Sequence, residues 1–215
     1  GPLPVYIITN FSLALSGEPE EPPAALRKRP GCRRVIFAGN LGRFQNLPKM
    51  AEGVSQLFDE FPDLELFFLG DGTALAELRR LWGEHPQVGF GAFLAFAHAQ
   101  SLVSEANVGL VSLEKNLYRV AYPSKIASYL SLSVPVLALV EPHSGIAAQI
   151  TDEALGATAC VEDPDDVASA LRMLLRDGEQ LRPRLLAWVE REAVASALLP
   201  RWNELFQHME SIRAA

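Results

Sequence analysis

Tyr122-Pro123-Ser124-Lys125-Ile126-Ala127-Ser128-Tyr129-Leu130, running on to Val134-Pro135-Val136-Leu137, reads as a tight turn, a short helix and a buried strand. Pro123 fixes its own φ and biases Tyr122 away from helical geometry. Ser124 is a favoured N-cap type, so the unpaired N–H groups of the first turn point at whatever lies in front of them. Lys125 places a cation at the same spot, and a helix N-terminus beside a lysine suits an anion such as phosphate. An ordinary capped helix with a solvent lysine fits the same residues. The segment therefore settles the local structure and leaves its chemistry open.

Working outward, the alternation of strand, glycine loop and helix continues in both directions. Val35-Ile36-Phe37-Ala38 is a continuous apolar run, as expected of a strand buried on both faces, and it ends in Gly39-Asn40-Leu41-Gly42. Leu47, Met50, Ala51, Val54, Leu57, Phe58 and Phe61 recur at helical spacing and predict a helix over 47–61. The strand Leu64–Leu69 closes on Gly70-Asp71-Gly72, with Thr73 as the expected cap of a helix reaching Trp82. Short strands follow at 88–90, 108–111, 135–140 and 157–161, separated by helices at 94–105, after Ser124 and from near Ser144. Asp163, with Pro164 at the first helical position and Asp165-Asp166 in the first turn, starts a further helix, and helices at 179–192 and 195–213 finish the chain. Short buried strands joined by helices imply right-handed βαβ units: an α/β, Rossmann-like parallel sheet with helices on both faces, and extra C-terminal helices. Ligands bind such sheets beyond the carboxyl ends of the strands, which marks the loops at 39–46, 70–73, 91–93, 112–124 and 141–145.

Composition bounds the partners. The chain has 215 residues, is 49% hydrophobic and 21% charged, and carries a net charge of −7, a balance that disfavours nucleic acid or an anionic membrane surface. Cys32 and Cys160 lie far apart without metal spacing and suit a reducing, cytoplasmic setting. Residues 16–34, rich in Pro and Glu and then basic, read as a linker that cannot order itself alone, preceded by a short strand Val5–Ile8. The expected division is an inter-domain strand and linker over 1–34, a Rossmann-like unit over 35–178 and C-terminal helices over 179–215.

Several loops have residues suited to a ligand. The two glycines of Gly39-Asn40-Leu41-Gly42 allow close backbone approach, and Arg43 offers a cation or a solvated surface group. The loop is neither a dinucleotide fingerprint nor a P-loop. Gly70-Asp71-Gly72 is either a ligand-facing turn or a plain one. His85, His98, His143 and His208 do not cluster with carboxylates, and no G-x-S-x-G elbow is present.

Taken in order, Ile7-Ile8-Thr9-Asn10, Phe37-Ala38-Gly39-Asn40-Leu41-Gly42, Phe68-Leu69-Gly70-Asp71-Gly72, Val88-Gly89-Phe90-Gly91, Tyr122-Pro123-Ser124-Lys125 with Val134-Pro135-Val136, and Val161-Glu162-Asp163-Pro164 resemble one family. It is the C-terminal, donor-binding half of family 4 glycosyltransferases of the GT-B type, in the subgroup with GNLG and PSK motifs found in bacterial polysaccharide assembly. The resemblance implies transfer of a sugar, with retention, from a UDP- or GDP-linked donor to a glycan or lipid-linked acceptor, without a metal or other cofactor. It implies that the amides of Gly39-Asn40-Leu41-Gly42 and Lys125 hold the diphosphate; Arg43, Gly70, Asp71 and Ser124 are the further ligand-facing candidates that the residues themselves suggest. The backbone of Gly91-Ala92-Phe93 would frame the base. It also implies a separate acceptor-binding domain outside this chain, with any membrane contact made by that half and the last helix packing back against it. One departure stands out: Ser128 occupies the position of the family's ribose-binding glutamate, and Ser131-Leu132-Ser133 replaces the usual Ala-x-Gly. The alternatives are another ribose partner, with Glu114 as the candidate, a different donor, or a degenerate, non-catalytic binding domain.

Overall fold

A computed structural model describes residues 20–119, 122–192 and 195–214. The expected strand at 5–8 and the Ile7–Asn10 motif lie outside the described residues. Six strands form one parallel sheet: β1 (Arg33–Ala38), β2 (Leu64–Leu69), β3 (Val88–Gly91), β4 (Val108–Ser112), β5 (Val136–Leu139) and β6 (Gly156–Ala159), in the order β3-β2-β1-β4-β5-β6. The order reverses between β1 and β4, which places the crevice of a doubly wound sheet at their carboxyl ends. Eight helices accompany the strands among the described residues: α1 (Leu47–Ser55), α2 (Leu75–Trp82), α3 (Phe96–Ser104), α4 (Lys125–Ser131), α5 (Gly145–Asp152), α6 (Pro164–Asp177), α7 (Arg182–Glu192) and α8 (Ala195–Ala214).

Strand side chains alternate between two cores, as the period of two requires. Val35, Phe37, Leu66 and Phe68 pack under α1, α2 and α6. Ile36, Phe67, Val136 and Ala138 pack under α3, α4, α5 and α7, with Leu185 and Trp188 of α7 in the same cluster. Asp163 caps α6 as expected, its carboxylate accepting from the Asp165 and Asp166 amides, and Ser144 caps α5 through the Ala147 amide at 3.1 Å.

Local readings changed in four places. The helix expected over 47–61 ends at Ser55; turns carry the chain onward, and Leu57, Phe58 and Phe61 stay buried without helix. Thr73 does not cap α2, because Ala74 occupies the cap position without a side-chain bond. Ser124 stands at the cap position of α4 in helical geometry and makes no side-chain cap bond, so the N-cap expected there does not form. Arg33 and Arg34, read as the basic end of a linker, form the start of β1, with Arg34 buried. The stretch before them is held by α3 and the loop after it: Ser101 donates to the Glu20 carbonyl at 2.7 Å, and the Lys28 amide donates to Glu105 at 2.9 Å.

Candidate functional site

At the carboxyl edge, the loops after β1, β2 and β3 extend the sheet as a stitched ledge. Gly39 N–H donates to the Leu69 carbonyl at 2.8 Å, Leu41 N–H to Asp71 at 2.8 Å and Gly70 N–H to Gly91 at 3.0 Å. The glycines are what permit this: a Cβ on Gly70 would stand 2.0 Å from the Gly39 oxygen, and Gly70 has φ +140. The Asn40 side chain lies between Gly42 and Gly72, where a Cβ on either glycine would meet it at 2.8 Å. Asp71 accepts from the Gly72 amide at 2.7 Å. The expectation that the whole Gly39–Gly42 loop offers its amides is therefore narrowed. Alternate amides face β2, so Gly39 and Leu41 are already paired, and those of Asn40 and Gly42 have no backbone partner among the described residues.

On the other side of β1 the sheet opens. β1 pairs with β4 only at Val35–Val108 and Ile36–Gly109. Beyond that point the Tyr129 hydroxyl accepts the Ala38 amide at 2.9 Å and donates to the Ile36 carbonyl at 3.4 Å. Burial holds the Tyr129 phenol far above its ordinary pKa, so it remains a neutral donor and acceptor.

One turn before Tyr129, the first residue of α4 is Lys125. Its Nζ lies 3.5 Å from the centroid of the Phe37 ring and is buried, with no hydrogen-bond partner among the described residues. Burial alone pushes its pKa down to about 7. Other buried polar atoms without a partner at this edge are Gln45 Oε1, Ser112 Oγ and Glu141 Oε2. Such orphans are rare in native interiors and collect where a ligand completes the bonding.

A cavity of about 250 Å³ opens between α3 and α4. Of the residues expected at the site, Gly39, Gly70, Phe93, Lys125 and Ser128 line it together, with Phe93 76% exposed at the mouth. Gly42 and Arg43 do not join them. They open on a second cavity with Thr73 and Glu77, on the α1 and α2 side, where Arg43 lies over the Phe44 ring at 5.0 Å. Gly91 is buried behind the ledge, and Ser124 is exposed, its carbonyl taken by the Ser128 amide at 3.3 Å. Glu114 is also exposed; its amide donates to the Phe44 carbonyl at 2.8 Å, and its side chain does not line the cavity. No group of three or more His, Cys, Asp or Glu side chains among the described residues could hold a metal ion.

Two residues of this site carried no role in the sequence reading. Tyr129 signalled itself only through a glycine, Gly109, in the middle of an apolar strand. Gln100 signalled itself as an amide on the apolar face of α3.

The family model described as glycosyl transferases group 1 matches residues 32–177. The chain belongs to this family. The sequence is 24% identical over 136 residues to the probable glycosyltransferase WbjE of Pseudomonas aeruginosa, covering 62% of this chain and 34% of that protein. The fold matches the pneumococcal O-GlcNAc transferase GtfA, solved with UDP and GlcNAc, at a TM-score of 0.61 and 14% identity over 85% of this chain and 37% of that one. It also matches S. aureus TarM, solved with UDP, at a TM-score of 0.60 and 14% identity over 94% of this chain and 39% of that one. These neighbours are GT-B glycosyltransferases, and the parallel Rossmann-like sheet is shared with them. The chain spans less than half the length of each of these proteins. No helix among the described residues is long and apolar enough to cross a membrane.

Proposed function

We propose that this chain is the donor-binding unit of a retaining glycosyltransferase of the GNLG/PSK type in family 4. It takes a UDP- or GDP-linked sugar, uses no metal, and works with a separate acceptor-binding domain on a glycan or lipid-linked acceptor, in the cytoplasm and in polysaccharide assembly. The observation that carries the reading is the Lys125 ammonium: buried, without a partner, and set against the Gly39 loop at the switch point of the sheet. A diphosphate supplies the acceptors that this group lacks. As the bond to the sugar breaks, negative charge grows on the leaving diphosphate, and a fixed cation beside the Gly39 loop stabilises that charge without reorganising. No nucleophile of the protein is assigned.

A second reading is a binding domain that has lost catalysis. It draws on Ser128, whose hydroxyl sits 3.4 Å from the Ser124 carbonyl in a cavity that no carboxylate lines. Calorimetric titration with UDP, GDP and ADP, repeated on Lys125→Ala, tests the donor site. Saturable binding of one nucleotide that is lost in the variant supports it. Binding that is unchanged in the variant removes Lys125 from the site. Absence of binding at millimolar ligand favours the degenerate domain.

A further inference from the structure

Of the two helices that wall the main cavity, α3 is the less firmly held. It has nine residues, no side-chain cap at Ala95, and only Leu102 and Val103 buried. A helix so short does not persist alone in water, so its place is set by what packs around it. Phe96, Ala99, Gln100 and Val103 face the cavity, at i, i+3, i+4 and i+7, and on that side the helix borders open space. α4, by contrast, is pinned to β1 through the Tyr129 hydroxyl.

The opposite face of α3 carries His98, Ser101 and, at the C-cap, Glu105, at i, i+3 and i+7. One segment, Glu20–Lys28, takes all three. The His98 imidazole meets the Glu20 carboxylate at 3.0 Å, the Ser101 hydroxyl donates to the Glu20 carbonyl at 2.7 Å, and Glu105 accepts the Lys28 amide at 2.9 Å. The segment thus follows α3 in the same direction, and it is itself fastened to the sheet. Arg34 of β1 donates to the Leu26 carbonyl at 2.8 Å, Leu26 packs on the cluster that holds Leu102 and Val103, and Pro22 is buried. Pro22 and Pro23 fix two successive φ angles and stiffen the strap. It holds α3 from behind while the cavity lies in front. Phe93, the residue expected beside the base, stands three residues before α3 and moves with it. We propose that Glu20, His98 and Ser101 are positioning residues of the donor site: they touch no ligand, and they set the distance of α3 from α4 and hence the fit of the nucleoside half of the nucleotide. This rests on the donor-site reading above. The diphosphate half, at Lys125 and the Gly39 loop, does not depend on the strap.

The test is calorimetric titration of the whole chain, and of the double variant Glu20→Ala with Ser101→Ala, with UDP, GDP and inorganic pyrophosphate. Alanine is the better helix former at 101, so the variant loosens the strap without weakening the helix. The tighter-binding nucleotide is expected to lose about three- to tenfold in affinity, the worth of one hydrogen bond, since both lost contacts are exposed to solvent. Pyrophosphate should keep its wild-type affinity, a split that general damage to the fold would not give. Ser101→Thr, which retains the hydroxyl, should bind as the wild type does. Hydrogen exchange of the free proteins is the second readout, and it serves also where pyrophosphate binds too weakly to titrate: the α3 amides should exchange faster in the double variant, and the α4 amides should not. An unchanged nucleotide affinity, a loss shared equally by pyrophosphate, or faster exchange in α3 and α4 alike overturns the strap and leaves the donor site standing. A wild-type chain that binds neither nucleotide overturns both.

Discussion

The Tyr129 hydroxyl takes the Ala38 amide at 2.9 Å, in the gap where β1 and β4 no longer pair. Gly109 makes room for it: a Cβ there would stand 2.5 Å from the Tyr129 ring. A phenol thus replaces a strand-to-strand bond and pins α4, with Lys125 one turn earlier, to the splayed edge. Tyr129→Phe keeps the ring and orphans the Ala38 amide, and is expected to cost about 1–3 kcal/mol. Gly109→Ala forces overpacking worth about 1–3 kcal/mol. Adding Gly109→Ala to Tyr129→Leu should cost less than adding it to the wild type. Urea denaturation of the four proteins measures this coupling, and simple additivity would dissolve the wedge.

Gly70 carries the ledge. With φ +140 and only 2.0 Å between its missing Cβ and the Gly39 oxygen, Gly70→Ala must push the two loops apart. The expected result is a loss of more than about 2 kcal/mol and of nucleotide affinity together. Gly31→Ala is the control: φ is +76 but nothing lies within 4 Å, so only left-handed strain of about 1–2 kcal/mol is expected, with nucleotide binding unchanged. Equal losses in the two variants, by denaturation and titration, would show that the ledge relaxes freely.

Arg34 is 1% exposed and holds Glu65, 13% exposed, at 2.6 Å; it also donates to the Leu26 carbonyl at 2.8 Å and covers the Phe67 ring at 4.3 Å. Arg34→Ala leaves the Glu65 carboxylate without its partner and should cost about 3–5 kcal/mol. The double change Arg34→Met with Glu65→Leu removes both charges while keeping bulk, and should cost much less. Denaturation midpoints decide it: a double variant as weak as Arg34→Ala would place the energy in packing and the Leu26 bond rather than in the ion pair.

The same pair shows where the sequence stops being legible. Arg33 and Arg34 follow a basic run and read locally as linker, whereas the carboxylate that buries Arg34 lies 31 residues away. The strands themselves were legible because burial on both faces leaves continuous apolar runs such as Val35–Ala38 and Leu66–Leu69. Residue type misled at Thr73 and Ser124, since a cap needs the right backbone geometry and Ser124 is already helical. Lys125 was legible as a cation at a strand-end loop, but its burial over Phe37 was not, because Phe37 belongs to β1 and the contact crosses the end of the sheet. Arg43 was placed with Lys125 on proximity to the same glycine loop, and the paired amides of Gly39 and Leu41 turn it to the other side.

Lys125 also dictates a pH dependence with opposite signs for folding and for binding. Burial lowers its pKa from 10.5 to about 7, with no neighbouring charge contributing. Between those values the unfolded chain holds a proton that the folded chain releases, so this group makes stability rise with pH across the window. Its destabilising effect is complete below about pH 7 and gone above about 10.5. Lys125→Met should therefore remove that slope and be more stable than wild type at pH 6, by about 2–4 °C in Tm for each kcal/mol regained. Nucleotide binding runs the other way, because a diphosphate is held by the ammonium and not by the amine. Wild-type affinity should fall as pH rises through 7. Titration at pH 7.5 in phosphate and in Tris, whose ionisation heats differ, should show net proton uptake by the complex. Ser128→Glu, which sets a carboxylate one turn below the ammonium, should raise the lysine pKa and move the fall in affinity to higher pH. A wild-type affinity that stays level from pH 6 to 9 would mean that the ammonium keeps its proton without a ligand, and that the Phe37 ring is enough to hold it.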